Sequence, residues 1–265
     1  MIRKKLIEKR IGSDVGFRWR SEEISRIEGL SDAVFGFAIT LLVVSLEVPK
    51  TFNELAATMS GFAAFAISFL LLFLVWFNQH RFFRRYGLQD NTTIWLNAAL
   101  LWVILFYVYP LKFLFTFLVS KLFGGNGEVR LANGSVEPML TNMNQMGTLM
   151  LIFGAGYFAV FAVFVLLHLH AYRKRRELEL TEIEQFDTIS SIQESALNCV
   201  IALISMSLVW LGGPRYSGMA GVVYMLTGLV MAIHGFIMGS RRRRLERQFV
   251  GQAMPGSEPE PELTN

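Results

Sequence analysis

The chain has 265 residues, of which 53% are hydrophobic, 13% aromatic and 17% charged, with a formal net charge of +4. Soluble domains carry roughly 25% charge and 45–50% apolar residues, so a water-soluble globular domain is excluded. A disordered chain, charge-rich and poor in aromatics, is excluded more firmly still. The lone cysteine, Cys199, leaves no internal disulfide and no cysteine-based metal cluster. With about 20 apolar residues needed per span, the composition describes a small polytopic membrane protein.

Residues 1–23 form a basic N-terminal segment (Arg3, Lys4, Lys5, Lys9, Arg10) with no apolar stretch or small-residue cleavage site, so no cleavable signal peptide is expected. Windows of about 19 residues then predict six helices in an all-α membrane domain over 24–240. They run over 24–48, 57–80, 92–119, 146–171, 189–212 and 216–240. The first is the least apolar and carries Arg26, Glu28 and Asp32. Pro110 predicts a kink in the third. In the 121–145 loop, Gly124-Gly125, Asn126-Gly127 and Asn133-Gly134 read as turns. Segment 173–187, with Arg173 to Arg176 followed by Glu177, Glu179, Glu182, Glu184 and Asp187, reads as a solvated helical extension laced with ion pairs. Gly212-Gly213-Pro214 joins the last two spans in a tight hairpin. Residues 241–265 comprise a basic juxtamembrane stretch, Arg241, Arg242, Arg243 and Arg244, expected at anionic lipid headgroups. A disordered acidic tail is expected after Gly251.

Orientation follows from the basic residues. Segments 1–26, 81–90, 172–188 and 241–265 hold 20 of the 25 lysines and arginines, leaving Lys50, Lys112, Lys121, Arg130 and Arg215 at or near the opposite face. The positive-inside rule places both termini in the cytoplasm. The basic balance, which in a soluble protein would suggest nucleic acid, is accounted for by this topology.

Chemistry-bearing motifs are few. No phosphate loop, dinucleotide fingerprint or nucleophile elbow is present, and no enzyme activity, metal or cofactor is expected. His168 and His170 lie about 200° apart on a helix, so one helix cannot offer both to one ion. His234 is the ionisable group deep in a late span. Gly154 and Gly156 stand inside a continuous apolar helix, where small residues allow close helix packing.

The first span carries the most information, because polar groups in a membrane are costly and mark function by default. Arg26 and Asp32 lie about 120° apart around the helix, so each needs a partner on a neighbouring helix. His80, Arg81 and Asn78 end the second span on that side, and Asn91 and Asn97 begin the third, which predicts a buried network. With Asp32 set at 0°, Leu30, Ala33, Phe37, Thr40, Leu41, Val44 and Val48 fall between about 80° and 180°. Apart from Thr40 that face is apolar. Periodicity allows it to meet lipid, another subunit or a narrow pore closed by dewetting.

The run from Arg26 through Ser31-Asp32 to Ile39-Thr40-Leu41-Leu42 resembles the first helix of the transmembrane-protein-175 family, the endosomal and lysosomal potassium channels and their bacterial relatives. The family pattern is Arg-x-x-x-Phe-Ser-Asp followed by an apolar helix with Ile-Thr near its middle. Asn91 to Asn97 and the aromatic stretch around Pro110 are similar to the family's third helix. Six spans with cytoplasmic termini match one family repeat, and a single repeat implies the bacterial type, a homotetramer in the cell (inner) membrane.

The resemblance implies a potassium-permeable, weakly selective cation channel whose first helices surround the pore without a carbonyl filter. Phe37, Leu41 and Val44 would form the apolar gate and Thr40 the hydroxyl layer, with Glu47 as a candidate outer cation ring. Arg26, Ser31 and Asp32 would be scaffolding, with Trp76, His80 and Asn97 as partners. Leu30 replaces the signature phenylalanine, one bulky apolar group for another. Phe37 stands where the family usually carries a constricting isoleucine, and four phenylalanines at one level make a steep barrier to an ion. Two readings compete: a secondary or proton-coupled transporter, which needs deep ionisable groups or broken helices, and a non-conducting structural membrane protein of the same fold.

Overall fold

The computed structural model describes residues 17–21, 23–44, 51–52, 59, 61–123, 127–130 and 135–253. Among them are six α-helices: α1 (Arg26–Val44), α2 (Phe62–Tyr86), α3 (Asn91–Leu122), α4 (Met143–Arg173), α5 (Glu182–Gly212) and α6 (Ser217–Ala253). Each corresponds to one predicted span. A 3-10 turn at Pro214–Tyr216 joins α5 to α6, as the Gly-Gly-Pro signal requires. Five helices, α2 to α6, are long and apolar enough to cross a membrane, with α6 counted together with the turn before it. With them the chain is a multi-pass membrane protein. Within the described residues, α1, which carries Arg26, Glu28 and Asp32, falls outside this group.

The helices pack in near-serial order. α1 rests on α2 and α3, α2 on α3, α3 on α4, α4 on α5, and α5 on α6, which also touches α4. α1 therefore flanks one side of the bundle and α6 the other. The core is apolar and aromatic, with Phe35, Leu72, Phe82, Leu100, Ile104 and Phe164 each at most 2% exposed. Large apolar side chains also face outward. α3 exposes Trp95, Trp102, Phe106, Tyr109 and Phe113 along one stripe and buries Asn97, Leu100, Ile104 and Leu111 on the other. Apolar residues on both faces suit a helix between protein and lipid or a second subunit.

Helix ends depart from the sequence reading in three places. The 121–145 loop carries two short antiparallel strands, β1 (Glu128–Arg130) and β2 (Val136–Pro138), where turns alone were expected. Segment 173–187 is not one solvated helix. α4 stops at Arg173, the chain turns over 174–179 with Glu179 at φ 48°, and Thr181 opens α5 with a capping box. Thr181 Oγ1 accepts the Glu184 N–H, and the Glu184 carboxylate accepts the Thr181 N–H at 3.0 Å. Glu184 is 1% exposed, so a residue expected in solvent is buried. Third, α6 continues past the predicted end at 240 to Ala253, about 55 Å at 1.5 Å per residue, so the arginine run is part of the helix. Arg242 Nε lies 3.0 Å from Asp187 and its Nη1 2.7 Å from Glu246. The helix runs on through Pro110 in α3. Residues from 254 onward lie outside the described residues.

At the basic end of the bundle, His170 of α4 meets Asp90, the residue before α3, at 2.8 Å. Burial works against the Asp90 charge, but the Thr93 hydroxyl and the neighbouring His170 outweigh it and hold the carboxyl below its ordinary value. Farther along, α3 and α4 approach closely at Gly156, where an added Cβ would overlap the Tyr107 ring. That ring is buried and its hydroxyl donates to the Phe153 carbonyl at 3.2 Å. Gly156→Ala should therefore lower stability by about 1–3 kcal/mol through overpacking. Gly221→Ala, whose new carbon would have no neighbour closer than 3.8 Å, should be neutral or stabilising. Thermal unfolding of the two variants in one detergent checks both.

Candidate ion pathway

α1 begins with a capping box of its own. Ser25 donates its backbone N–H to Glu28 Oε2 at 2.8 Å, and Glu28 returns its N–H to Ser25 Oγ at 3.3 Å. From there the helix divides into two arcs. Glu28, Ser31, Phe35, Ala38 and Leu42 are buried, and fall between about 240° and 320° on a wheel with Asp32 at 0°. Asp32, Val43, Gly36, Gly29, Thr40, Ala33, Phe37 and Leu30 are exposed, over an arc of about 160° from Asp32 to Leu30. Added Cβ atoms at Gly29 or Gly36 would meet nothing within 4 Å. Apart from Asp32 at its edge, this arc meets no partner among the described residues.

The buried arc is held by a relay of side chains. Ser31 Oγ donates to the Ile27 carbonyl at 2.8 Å and accepts from Asn97 Nδ2 at 2.9 Å. Asn97 Oδ1 in turn accepts from Gln79 Nε2 at 2.7 Å. Ser31, Asn97 and Gln79 are at most 2% exposed. The relay joins α1, α3 and α2 through buried polar groups that satisfy one another in apolar surroundings. A second arm is exposed: Trp76 Nε1 donates to Asp32 Oδ1 at 2.8 Å, and the Trp76 ring stacks on His80 with centroids 5.3 Å apart. A third contact lies in the last turn of α1, where Lys112 Nζ donates to the Leu42 carbonyl at 2.8 Å.

Sequence reasoning locates most of these residues but misplaces some of them. Ser31 and Asn97 are partners, and Trp76 is the neighbour that Asp32 needs, with His80 behind it. Asp32 itself is exposed at the edge of the open arc, so its arm is not part of a buried network. Arg26 is exposed and has no hydrogen-bond or ion-pair partner among the described residues. Phe37 is 58% exposed, and Thr40 lies on the same arc. Leu41 is half-buried against the core. The Val44 side chain, Val48 and Glu47 lie outside the described residues. Gln79, the centre of the relay, escapes the sequence reading, although its place one turn from Trp76 and beside His80 marks the same end of α2. The Ser25-x-x-Glu28 spacing is the sequence signature of the capping box that opens α1.

Elsewhere, His168 Nδ1 faces the Phe164 carbonyl while His170 faces Asp90, so the two do not converge. His234 Nε2 is buried without a hydrogen-bond partner among the described residues. A cavity of about 360 Å³ opens between α2, α4, α5 and α6, lined among others by Asn78, Arg81, His168, Ser190 and Glu194. It is separate from the α1 arc.

Known proteins resolve the family. The family profile described as the endosomal/lysosomal potassium channel TMEM175 matches residues 26–107, the stretch that supplies α1, α2 and the relay. A protein of Marivirga tractuosa named as a potassium channel is 39% identical over 250 residues, covering 91% of this chain and 98% of the relative. This chain belongs to the TMEM175 family. A crystal structure of the potassium channel MtTMEM175, in a threonine-to-alanine variant bound to a nanobody fusion, superposes with a TM-score of 0.74 at 38% identity. It covers 87% of this chain and all of that one. The structure of a TMEM175 homologue from Chamaesiphon minutus, described as a lysosomal potassium-selective channel, superposes with a TM-score of 0.51 at 23% identity over 81% of this chain, a likeness of fold. The TMEM175 relatives are channels and not enzymes, and among the described residues no group of three potential metal-ligating side chains comes together.

Because Asn97 both donates to Ser31 and accepts from Gln79, Asn97→Leu leaves two buried polar groups unmatched. The expected loss is about 1–3 kcal/mol, and Trp76→Phe, which removes one exposed donor, should cost less. Thermal unfolding of the purified protein ranks the two.

Proposed function

We propose that this TMEM175 member is a potassium-permeable, weakly selective cation channel of the bacterial cell membrane. Four copies would assemble with α1 around the axis and both termini in the cytoplasm. The observation that carries the reading is the division of α1: one arc tied through the buried Ser31–Asn97–Gln79 relay to α3 and α2, the other exposed and bearing Phe37 and Thr40. A helix fixed from behind, with a narrow mostly apolar front, suits a pore wall closed by dewetting rather than by carbonyl coordination.

In this reading Phe37 makes the tightest apolar level, with Leu41 and Val44 beyond it towards the outer mouth. Thr40 donates its hydroxyl hydrogen back to the Gly36 carbonyl at 2.9 Å. Its oxygen therefore keeps lone pairs for a passing cation, the chemistry a hydroxyl layer needs. Asp32, Trp76 and His80 support α1 at the subunit boundary, and Arg26 finds its partner in the neighbouring subunit. Arg241, Arg243 and Arg244 meet anionic headgroups at the cytoplasmic leaflet, while Arg242 is held by Asp187. Glu47 would ring the outer mouth. No cofactor enters the mechanism; the ligand is the permeant ion.

A transporter reading draws on His234 and the separate polar cavity, but neither adjoins the α1 arc. Flux that saturates with substrate or requires a proton gradient would favour it. A structural protein would be silent both as wild type and as Phe37→Ala.

Reconstituted wild-type tetramers should pass potassium down its gradient, and Phe37→Ala should raise that flux several-fold. Silence of both in well-folded tetramers would overturn the proposal. Asp32→Ala, removing the acceptor of Trp76, should reduce tetramer yield and leave the potassium-to-sodium ratio of the surviving assemblies unchanged. An unchanged yield on size-exclusion chromatography with light scattering would remove the scaffold role.

A further inference from the structure

Residues 17–20 are bound to the end of the bundle. Phe17 is 1% exposed, its ring meets Tyr86 edge-on at 5.6 Å, and the Arg85 guanidinium stands 4.7 Å over it. Arg20 donates its backbone N–H to the Arg84 carbonyl at 3.1 Å. All three nitrogens of its guanidinium are engaged. Nε donates to the Leu178 carbonyl at 2.8 Å, and Nη2 to Glu184 Oε2 at 2.6 Å and the Glu179 carbonyl at 3.3 Å. Nη1 reaches Glu184 Oε1 at 3.2 Å and the Arg18 and Arg85 carbonyls at 3.1 and 3.3 Å. Glu184 Oε1 also accepts the Arg18 backbone N–H at 2.8 Å. The lead into α1, the end of α2, the α4–α5 turn and the first turn of α5 thus converge on one ion pair.

Gly87 shows that the approach is built in. It ends α2 at φ +60°, and a Cβ there would lie 3.2 Å from the Arg20 carbonyl oxygen. On the other side, α1 starts at the Ser25–Glu28 cap, and five residue steps from Arg20 to Ser25 span at most about 17 Å even when fully extended. The Arg20 clamp and the first turn of α1 are therefore held within about 17 Å of each other.

We propose that Arg20 and Glu184 are positioning residues for the pore: their ion pair fixes the Arg26 end of α1 against α5, and so sets where the pore helix stands in the conducting assembly. This rests on the channel reading of α1. The pair touches no permeant ion. It acts through α1, so its loss should disturb the helix at one end and alter flux without altering ion preference.

The test separates cap from clamp. Glu184→Gln keeps an acceptor suited to the third position of a capping box but removes the charge that holds Arg20. Arg20→Lys keeps the charge but cannot reproduce the planar fork of donors. With Cys199→Ser as background, nitroxides on Ile24→Cys and Gln193→Cys report the clamped end of α1 relative to α5. Val43→Cys and Leu203→Cys report the other end. Doubly labelled chains diluted into unlabelled ones are read by pulsed dipolar spectroscopy.

Both clamp variants should widen the 24–193 distance distribution at least twofold and leave 43–203 as in the parent. Potassium flux should change at least threefold, with the potassium-to-sodium ratio unchanged. An unchanged 24–193 distribution in either folded variant, or equal widening at both ends, overturns the proposal, as does an altered helix position with unaltered flux. If Glu184→Gln does not assemble, Arg20→Lys decides the matter. A failure of the channel reading would appear separately, as absent flux in the parent protein with the spin-label result intact.

Discussion

The hydrogen bond from Gln79 to Asn97, with Asn97 passing a second one to Ser31, determines how α1 is set. In water these amides would exchange partners freely. Buried between three helices they must find one another, because an unmatched amide in apolar surroundings is costly. Turning α1 by one residue, about 100°, would take Ser31 away from Asn97 and carry Thr40 toward the core. The relay thus selects one rotation of α1, and the open arc with Gly36, Phe37 and Thr40 follows from it. Glu28 and Lys112 reinforce the setting near the two ends, one closing the first turn and the other holding the Leu42 carbonyl.

The rest of the bundle gives this arrangement something rigid to stand on. α3 is the shared wall: it carries Asn97 toward α1 and packs Tyr107 against Gly156 of α4. Beyond α4, Tyr157 donates to Asn198 of α5 at 2.5 Å, and Ser205 donates to the Ala220 carbonyl of α6 at 2.9 Å. Each helix pair is thus fastened by a few polar contacts among apolar ones, as expected where lipid competes equally for apolar surface. α6 buries little apart from Ser217 and Ala220, so its outward apolar face belongs to lipid or a partner.

Much of this was legible in the sequence, for a physical reason in each case. Six apolar runs of span length located α1 to α6, because helices in a membrane must satisfy their own backbone. The Ser31-Asp32 motif located the helix with the site. Its rotation was harder. Placing Asp32 on the bundle side assumed that a carboxylate in a membrane must be buried. Instead Trp76 reaches outward to meet Asp32 at the edge of the open arc, which shifts the centre of that arc toward Thr40 and Gly36 and leaves Leu41 half-buried. Gln79 was missed because one amide among many polar residues gives no periodic signal; only the approach of α2 to α3 reveals its role. Segment 173–187 misled through its charge pattern. Ion pairs along one helix and a break followed by a Thr181-x-x-Glu184 cap share the same composition, and the burial of Glu184 depends on Arg20, more than 160 positions away.

The central claim, that the open arc of α1 faces permeating ions, is tested most directly by substituted-cysteine accessibility during potassium flux. In a Cys199→Ser background, silver ions would be applied to proteoliposomes carrying cysteine at Ala33, Gly36, Phe37, Thr40, Ala38 or Leu42, one position at a time. The account predicts block at the first four positions, with faster reaction at Thr40 when the channel is conducting, and no effect at Ala38 or Leu42. Block at Ala38 or Leu42 with none at Phe37 and Thr40 would contradict it.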